Sequence, residues 1–116
     1  TFAILNAFPY TSGHLLLMPY REVPDLEHLD DAESAELWAA IRSAVVAVKA
    51  AYRPQGVNVG LNLGEAAGAG IPAHLHVHVL PRWSADSNFM TSIAETRVLP
   101  EPLDETWAKL HDAWPR

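Results

Sequence analysis

Three histidines at alternate positions, His74, His76 and His78, separated by Leu75 and Val77 and followed by Val79-Leu80-Pro81-Arg82-Trp83, are the residues of this sequence best suited to chemistry. In an extended strand residues two apart share a face, so this spacing predicts three imidazoles in a row, with Leu75, Val77 and Val79 behind them against a core. One face reacts while the other anchors it. Neutral imidazole is a competent nucleophile near neutral pH, and a cationic neighbour stabilises charge on phosphate oxygens, so one row offers both forms. Three imidazoles on one face without a task would desolvate together and compete for protons, which argues against a purely structural role. Imidazole is also a common zinc ligand, which makes a zinc hydrolase the rival chemistry. Further ligands are scarce nearby: between Leu63 and Asp86 only Glu65 is acidic, and the chain has no cysteine. The row is therefore expected to work without metal or cofactor.

The segment before the histidines, Gly64-Glu65-Ala66-Ala67-Gly68-Ala69-Gly70, carries mostly tiny side chains. Small residues let backbone amides approach a ligand closely, so amides around Gly68 and Gly70 are candidates to cradle a phosphate. No Gly-Lys-Ser/Thr follows, which excludes a P-loop. The preceding run Val57 to Leu63 alternates apolar Val57, Val59, Leu61 and Leu63 with Asn58, Gly60 and Asn62, which predicts a strand with one core-like face. Asn62 points away from that face and is a second candidate to hold non-bridging oxygens.

Other elements must position this site. Thr1 to Leu5 reads as a strand already under way, so residues upstream of Thr1 are expected. Asn6 to Gly13 has turn chemistry, and His14 to Tyr20 is a short apolar run stopped by proline, as a buried strand would be. Asp30 with Glu33 forms a capping-box pair that starts a helix of about six turns, whose stripe is Leu37, Trp38, Ile41, Val45, Val48 and Tyr52. Arg53-Pro54-Gln55-Gly56 stops it. After Pro100-Glu101-Pro102, the spacing of Leu103, Trp107, Leu110 and Trp114 predicts a second amphipathic helix. Ser84 to Met90 offers hydroxyls and amides that either reach back over the site or satisfy a surface loop. His28 and His111 are expected at the surface, and the four tryptophans as core or interface mass.

The 116 residues make one domain, residues 1–116, large enough to bury a core without staples. Fourteen acidic against eight basic side chains repel a polyanion, which excludes non-specific binding to long nucleic acid but not a small nucleotide in a pocket. No run is long enough to span a bilayer, and the lack of cysteine fits a reducing compartment such as the cytoplasm. Two helices and about four strands joined by hairpin-like links predict an α+β fold with an antiparallel sheet, whose open edge invites dimerisation.

The run His74-Leu75-His76-Val77-His78-Val79-Leu80 resembles the signature of the histidine triad superfamily, three histidines alternating with apolar residues. The resemblance extends from Phe2-Ala3-Ile4-Leu5-Asn6 and Ser12-Gly13-His14 through the glycine loop to Pro81-Arg82-Trp83 and Asp86-Ser87-Asn88-Phe89-Met90. It is strongest to the fragile-histidine-triad and bacterial diadenosine polyphosphate hydrolase or phosphorylase branch. It implies a five-stranded antiparallel sheet with helices, usually dimerised, acting on nucleotides without a catalytic metal. By that likeness His76 attacks the α-phosphorus and carries the nucleotidyl group, His74 orients it and neutralises phosphate, and His78 bonds near the scissile oxygen. Ile4 resembles a base-contacting position, Asn6 a ribose-contacting one, and His14 a family histidine close to the triad. Ile71-Pro72-Ala73 lacks the glutamine and hydroxyl side chains that some relatives place before the triad, which would leave phosphate contacts there to backbone amides. A nucleotidyl hydrolase or transferase on a dinucleoside polyphosphate is the expectation. A nucleoside phosphoramidase and a slow-turnover nucleotide sensor are its alternatives.

Overall fold

A computed structural model of the chain describes residues 1–6, 12–84 and 101–115. Four strands, β1 (Phe2–Leu5), β2 (Leu15–Met18), β3 (Gly56–Gly60) and β4 (Val77–Arg82), form one sheet in the order β1-β2-β4-β3, with every neighbour antiparallel. The described residues thus supply four strands of the five that the family resemblance implies, in the expected α+β class. Ser84 is exposed at the end of the β4 segment, and the rest of the stretch to Met90 lies outside the described residues.

Helix α1 (Asp31–Tyr52) starts at the expected capping box. The Asp30 carboxylate accepts from the Glu33 amide at 2.7 Å, and the Glu33 carboxylate accepts from the Asp30 amide at 3.0 Å. Arg21 donates to both Glu33 oxygens, at 3.0 and 2.7 Å, and its hydrogen bond holds the Glu33 carboxyl down to about 2. The helix ends on Arg53 in the left-handed region (φ 46°), with Pro54 barring a further turn.

The buried stripe of α1 is Leu37, Ile41, Ala44, Ala47 and Val48. Trp38, expected within the stripe, is 63 % exposed. One residue on from Leu37 it is turned by about 100° away from the sheet, while Ala44 and Ala47, too small to signal in the sequence, are fully buried in the same cluster as Leu17 and Val79. Val45 and Tyr52 are half-buried beside this cluster.

Two further expectations are corrected. The β3 strand ends at Gly60, and Val59 and Leu63 are 44 % and 40 % exposed, because β3 lies at the sheet edge where α1 covers only part of its apolar face. Helix α2 (Leu103–Ala113) forms as expected but buries only Thr106 and Leu110. Trp107 lies outside on that helix, stacked on His111 at 4.6 Å, while Trp83 and Trp114 are half-buried. His28 and His111 are exposed, as expected.

Glu101 ties α2 to the end of α1 and to the turn before β2. Its carboxylate accepts from Tyr52, from Thr106 at 2.8 Å and from Lys109 at 2.6 Å, and its amide donates to the Ser12 hydroxyl at 2.8 Å. Gly13 closes this turn at φ 84°, and a Cβ there would lie 2.8 Å from the Tyr52 ring. Left-handed backbone and contact both select glycine. Gly13→Ala is expected to destabilise the fold by about 1–3 kcal/mol, read as a lower midpoint in urea with unchanged m-value.

Candidate active site

The sheet has two unlike faces. Leu15 and Leu17, with Leu75, Val77 and Val79, are at most 3 % exposed and pack under α1. On the other face the register sets Ile4 beside Leu16, Leu16 beside His78, and His78 beside Gly60, a row across all four strands. The alternation of the triad places its imidazoles on this second face. Only His78 lies within β4, however: His74 and His76 belong to the extended stretch that leads into it.

That stretch is held by hydrogen bonds rather than by sheet pairing. The Leu75 amide donates to the Val23 carbonyl at 2.7 Å, and the His74 Nε2 proton goes to the Pro19 carbonyl at 3.0 Å. His76 Nδ1 donates to the His74 carbonyl at 2.9 Å. His14 Nε2 and His78 Nδ1 are 2.8 Å apart, and the Asn6 side-chain nitrogen lies 3.4 Å from His14 Nδ1. The Asn6 amide also donates to the His14 carbonyl at 3.1 Å, fixing the two residues together.

Tautomers are assigned from these partners. The amide nitrogen of Asn6 can only donate, so His14 Nδ1 accepts and His14 Nε2 carries the proton that it gives to His78 Nδ1. Neutral His78 then carries its own proton on Nε2. His76, with its proton on Nδ1, keeps the lone pair on Nε2. The row therefore presents a base at His76 and a hydrogen-bond donor at His78, whose rings are 5.1 Å apart. His14 is 1 % exposed, and burial, aided by the neighbouring His78, lowers its pKa to about 4. Burial, then the nearby His76, also lowers that of His78. Both rings are neutral at pH 7, as the ladder of hydrogen bonds requires.

The glycine loop has a different internal structure from a bare cradle. Residues Glu65–Ala67 make a 3₁₀ turn between Gly64 (φ 83°) and Gly68 (φ 99°). The amides of Ala67 and Ala69 donate to the Gly64 carbonyl, and that of Gly68 to the Glu65 carbonyl. Asn62 donates to the Gly68 carbonyl at 3.4 Å. Asn62 and Gly68 thus shape the loop directly. Gly70 has open space around it and normal backbone, so no local strain selects it.

Among the described residues, the donor atoms close enough to share a metal ion belong to Asp25, Glu27 and His28, on and before the exposed 3₁₀ turn Leu26–His28. A cleft of about 540 Å³ at the β1 edge, lined by Leu5, Ala40, Trp107, Leu110 and Trp114 among others, holds none of the triad. The carbonyls of Pro19 and Val23 were not legible in the sequence as parts of the site. Nor was the contact between His14 and His78, 64 positions apart, which only the family resemblance suggested.

Residues 1–85 match the family model described as the HIT domain. The chain is 50 % identical over 115 residues to an AP-4-A phosphorylase of Mycobacterium tuberculosis, which covers 99 % of this chain and 59 % of that protein. It is 34 % identical over 84 residues to the bis(5'-nucleosyl)-tetraphosphatase [asymmetrical] of Schizosaccharomyces pombe, covering 72 % of this chain and 46 % of that one. A crystal structure of a Hit-like protein from Bartonella henselae superposes with a TM-score of 0.78 at 25 % identity, over 96 % of this chain and 78 % of the other. The chain thus spans about half to three-fifths of the length of these two curated relatives.

Proposed function

This chain belongs to the HIT domain family, and from that premise we propose that it cleaves a dinucleoside polyphosphate at the α-phosphorus through a nucleotidyl group carried on His76. The observation that carries the proposal is the set of imidazole contacts, His76 Nδ1 to the His74 carbonyl, His14 Nε2 to His78 Nδ1 and Asn6 to His14 Nδ1, from which a lone pair on His76 Nε2 and a proton on His78 Nε2 are assigned. In the first step the His76 Nε2–P bond forms and the P–O bond to the rest of the polyphosphate breaks. His78 donates toward the departing oxygen and stabilises its charge. His74, anchored to Pro19, lies next along the chain and balances phosphate charge. Ile4, 43 % exposed, offers an apolar surface for the base beside Leu16, and Asn6 stands at the ribose position next to His14. Asn62, Gly68 and Gly70 border the phosphates.

In the second step an oxygen of the acceptor attacks the same phosphorus and frees the imidazole. The relative at 50 % identity is named AP-4-A phosphorylase, which favours inorganic phosphate over water as acceptor here. With diadenosine tetraphosphate and ¹⁸O-phosphate, label is expected in ADP and none in ATP. With unlabelled phosphate in H₂¹⁸O, neither product gains label, whereas a hydrolase would label AMP. Label in ATP would refute attack at the α-phosphorus.

A homodimer and a cytoplasmic location complete the proposal. β3 is an edge strand with Val59 and Leu63 exposed on or beside it, a surface suited to pairing with a second copy. A dimer by sedimentation equilibrium that dissociates on Val59→Glu is expected. Among the described residues no helix is long and apolar enough to cross a membrane.

A further inference from the structure

We propose that the outward face of the Tyr20 ring is a stacking platform for the second nucleobase of the dinucleoside polyphosphate, the one that departs with the leaving phosphates. This assignment rests on the reaction proposed above. Tyr20 is 77 % exposed, yet its surroundings are rigid. Pro19 before it accepts the His74 Nε2 proton, and Val23 after it is buried and accepts the Leu75 amide. Arg21 is fixed to Glu33 and to the His28 carbonyl. The backbone on both sides of Tyr20 is therefore held to the triad approach and to the start of α1.

One side of the Tyr20 ring stacks on Phe2, with centroids 5.5 Å apart and planes at 30°. Phe2 in turn lies 6.4 Å from the His74 ring. An aromatic line thus runs from the triad outward and ends in a ring with one face toward water. Stacking there requires no reordering of the protein, and it suits any base because every base has a π-face.

The position selects the second base rather than the first. Ile4 pairs with Leu16, which pairs with His78, so the surface for the first base lies at the His78 end of the row. Tyr20 follows Pro19 beyond the other end of β2, where the carbonyl of Pro19 meets His74. His76 lies between these ends, so the nucleosides on either side of the attacked phosphorus fall at opposite ends of the triad. A polyphosphate running past His74 brings its far nucleoside to Tyr20.

The test compares diadenosine tetraphosphate with adenosine 5'-tetraphosphate, which carries the same phosphate chain but one base, using the full-length protein and its Tyr20→Ala and Tyr20→Phe variants. The wild type is expected to show the lower KM for the two-base compound. Tyr20→Ala should raise that KM roughly five- to a hundred-fold, collapsing the ratio between the two substrates, while Tyr20→Phe keeps the ratio. Equal rises in KM for both substrates would assign Tyr20 to the first base and overturn the proposal, as would a ratio unchanged in Tyr20→Ala. A wild-type protein that turns over neither compound would overturn the reaction itself and this assignment with it. Circular dichroism of each variant separates loss of fold from loss of the platform.

Discussion

His76→Ala is expected to lower kcat by about four orders of magnitude or more while leaving nucleotide binding within a few-fold of the unchanged protein. The substitution removes the attacking atom and one internal hydrogen bond, from Nδ1 to the His74 carbonyl. It leaves the backbone that carries the neighbouring contacts, because Leu75 and Val77 remain buried under α1 on either side. Rate measurements and calorimetric titration with a nucleotide product read the two effects separately. Brief reaction of the unchanged protein, quenched in alkali, should yield a nucleotidyl adduct on His76 by peptide mass analysis, and the variant none. Turnover within tenfold of the unchanged enzyme would remove the nucleophile from His76. Loss of binding in step with loss of turnover would make the residue a contact instead of a nucleophile.

Lowering the pH from about 6.5 to about 4 is expected to cost the fold about 2 kcal/mol through His14 alone, allowing for solvent screening. The sign follows from linkage. In the folded chain His14 resists protonation, with a pKa near 4 against 6.5 for the free side chain. Its contribution is complete above pH 6.5 and is lost as the pH falls through the folded value, where the unfolded chain has already taken the proton. His78, lowered in the same direction by burial and then by the nearby His76, adds to the loss of stability below about 6.5. Glu33, lowered by its hydrogen bond from Arg21, and Glu101, which hydrogen bonds from Lys109, Tyr52 and Thr106 lower against the effect of burial, act only below about 4.5, so the histidine loss begins well above theirs.

Urea titrations at half-unit steps should show this slope, and His14→Phe should flatten it. The same substitution removes the donor to His78 Nδ1, so neutral His78 no longer holds its proton on Nε2. A fall in kcat of about a hundredfold is expected, with KM changed far less. A variant with unaltered kcat would show that the tautomer of His78 is set elsewhere.

Much of this site was legible in one line of sequence because its periodicities are local. Alternation at residues 74–79 assigned imidazoles to one face and Leu75, Val77 and Val79 to the other, since a chain extended by two residues returns to the same side. Asp30 and Glu33 announced the start of α1 because a capping box closes within a single turn. The same local logic misjudged Trp38 and Val59. Periodicity says which residues share a face, but not how wide a strip the neighbouring element covers or whether a strand lies at the edge.

What the sequence determined by itself, then, is the reactive row, its apolar anchor and the two helices, all set by steric repeat and backbone capping over a few residues. What only the tertiary structure decided is the state of that row. His14 is hydrogen-bonded to a ring 64 positions away, and Pro19 and Val23 hold the approach to the triad with carbonyls that no side-chain pattern encodes. These are matters of strand order and register, which depend on packing the whole sheet against α1. The proton on His78 Nε2 follows from that packing, since this imidazole takes the tautomer that its distant partner His14 leaves open, whereas His76 takes its own from the His74 carbonyl two residues away.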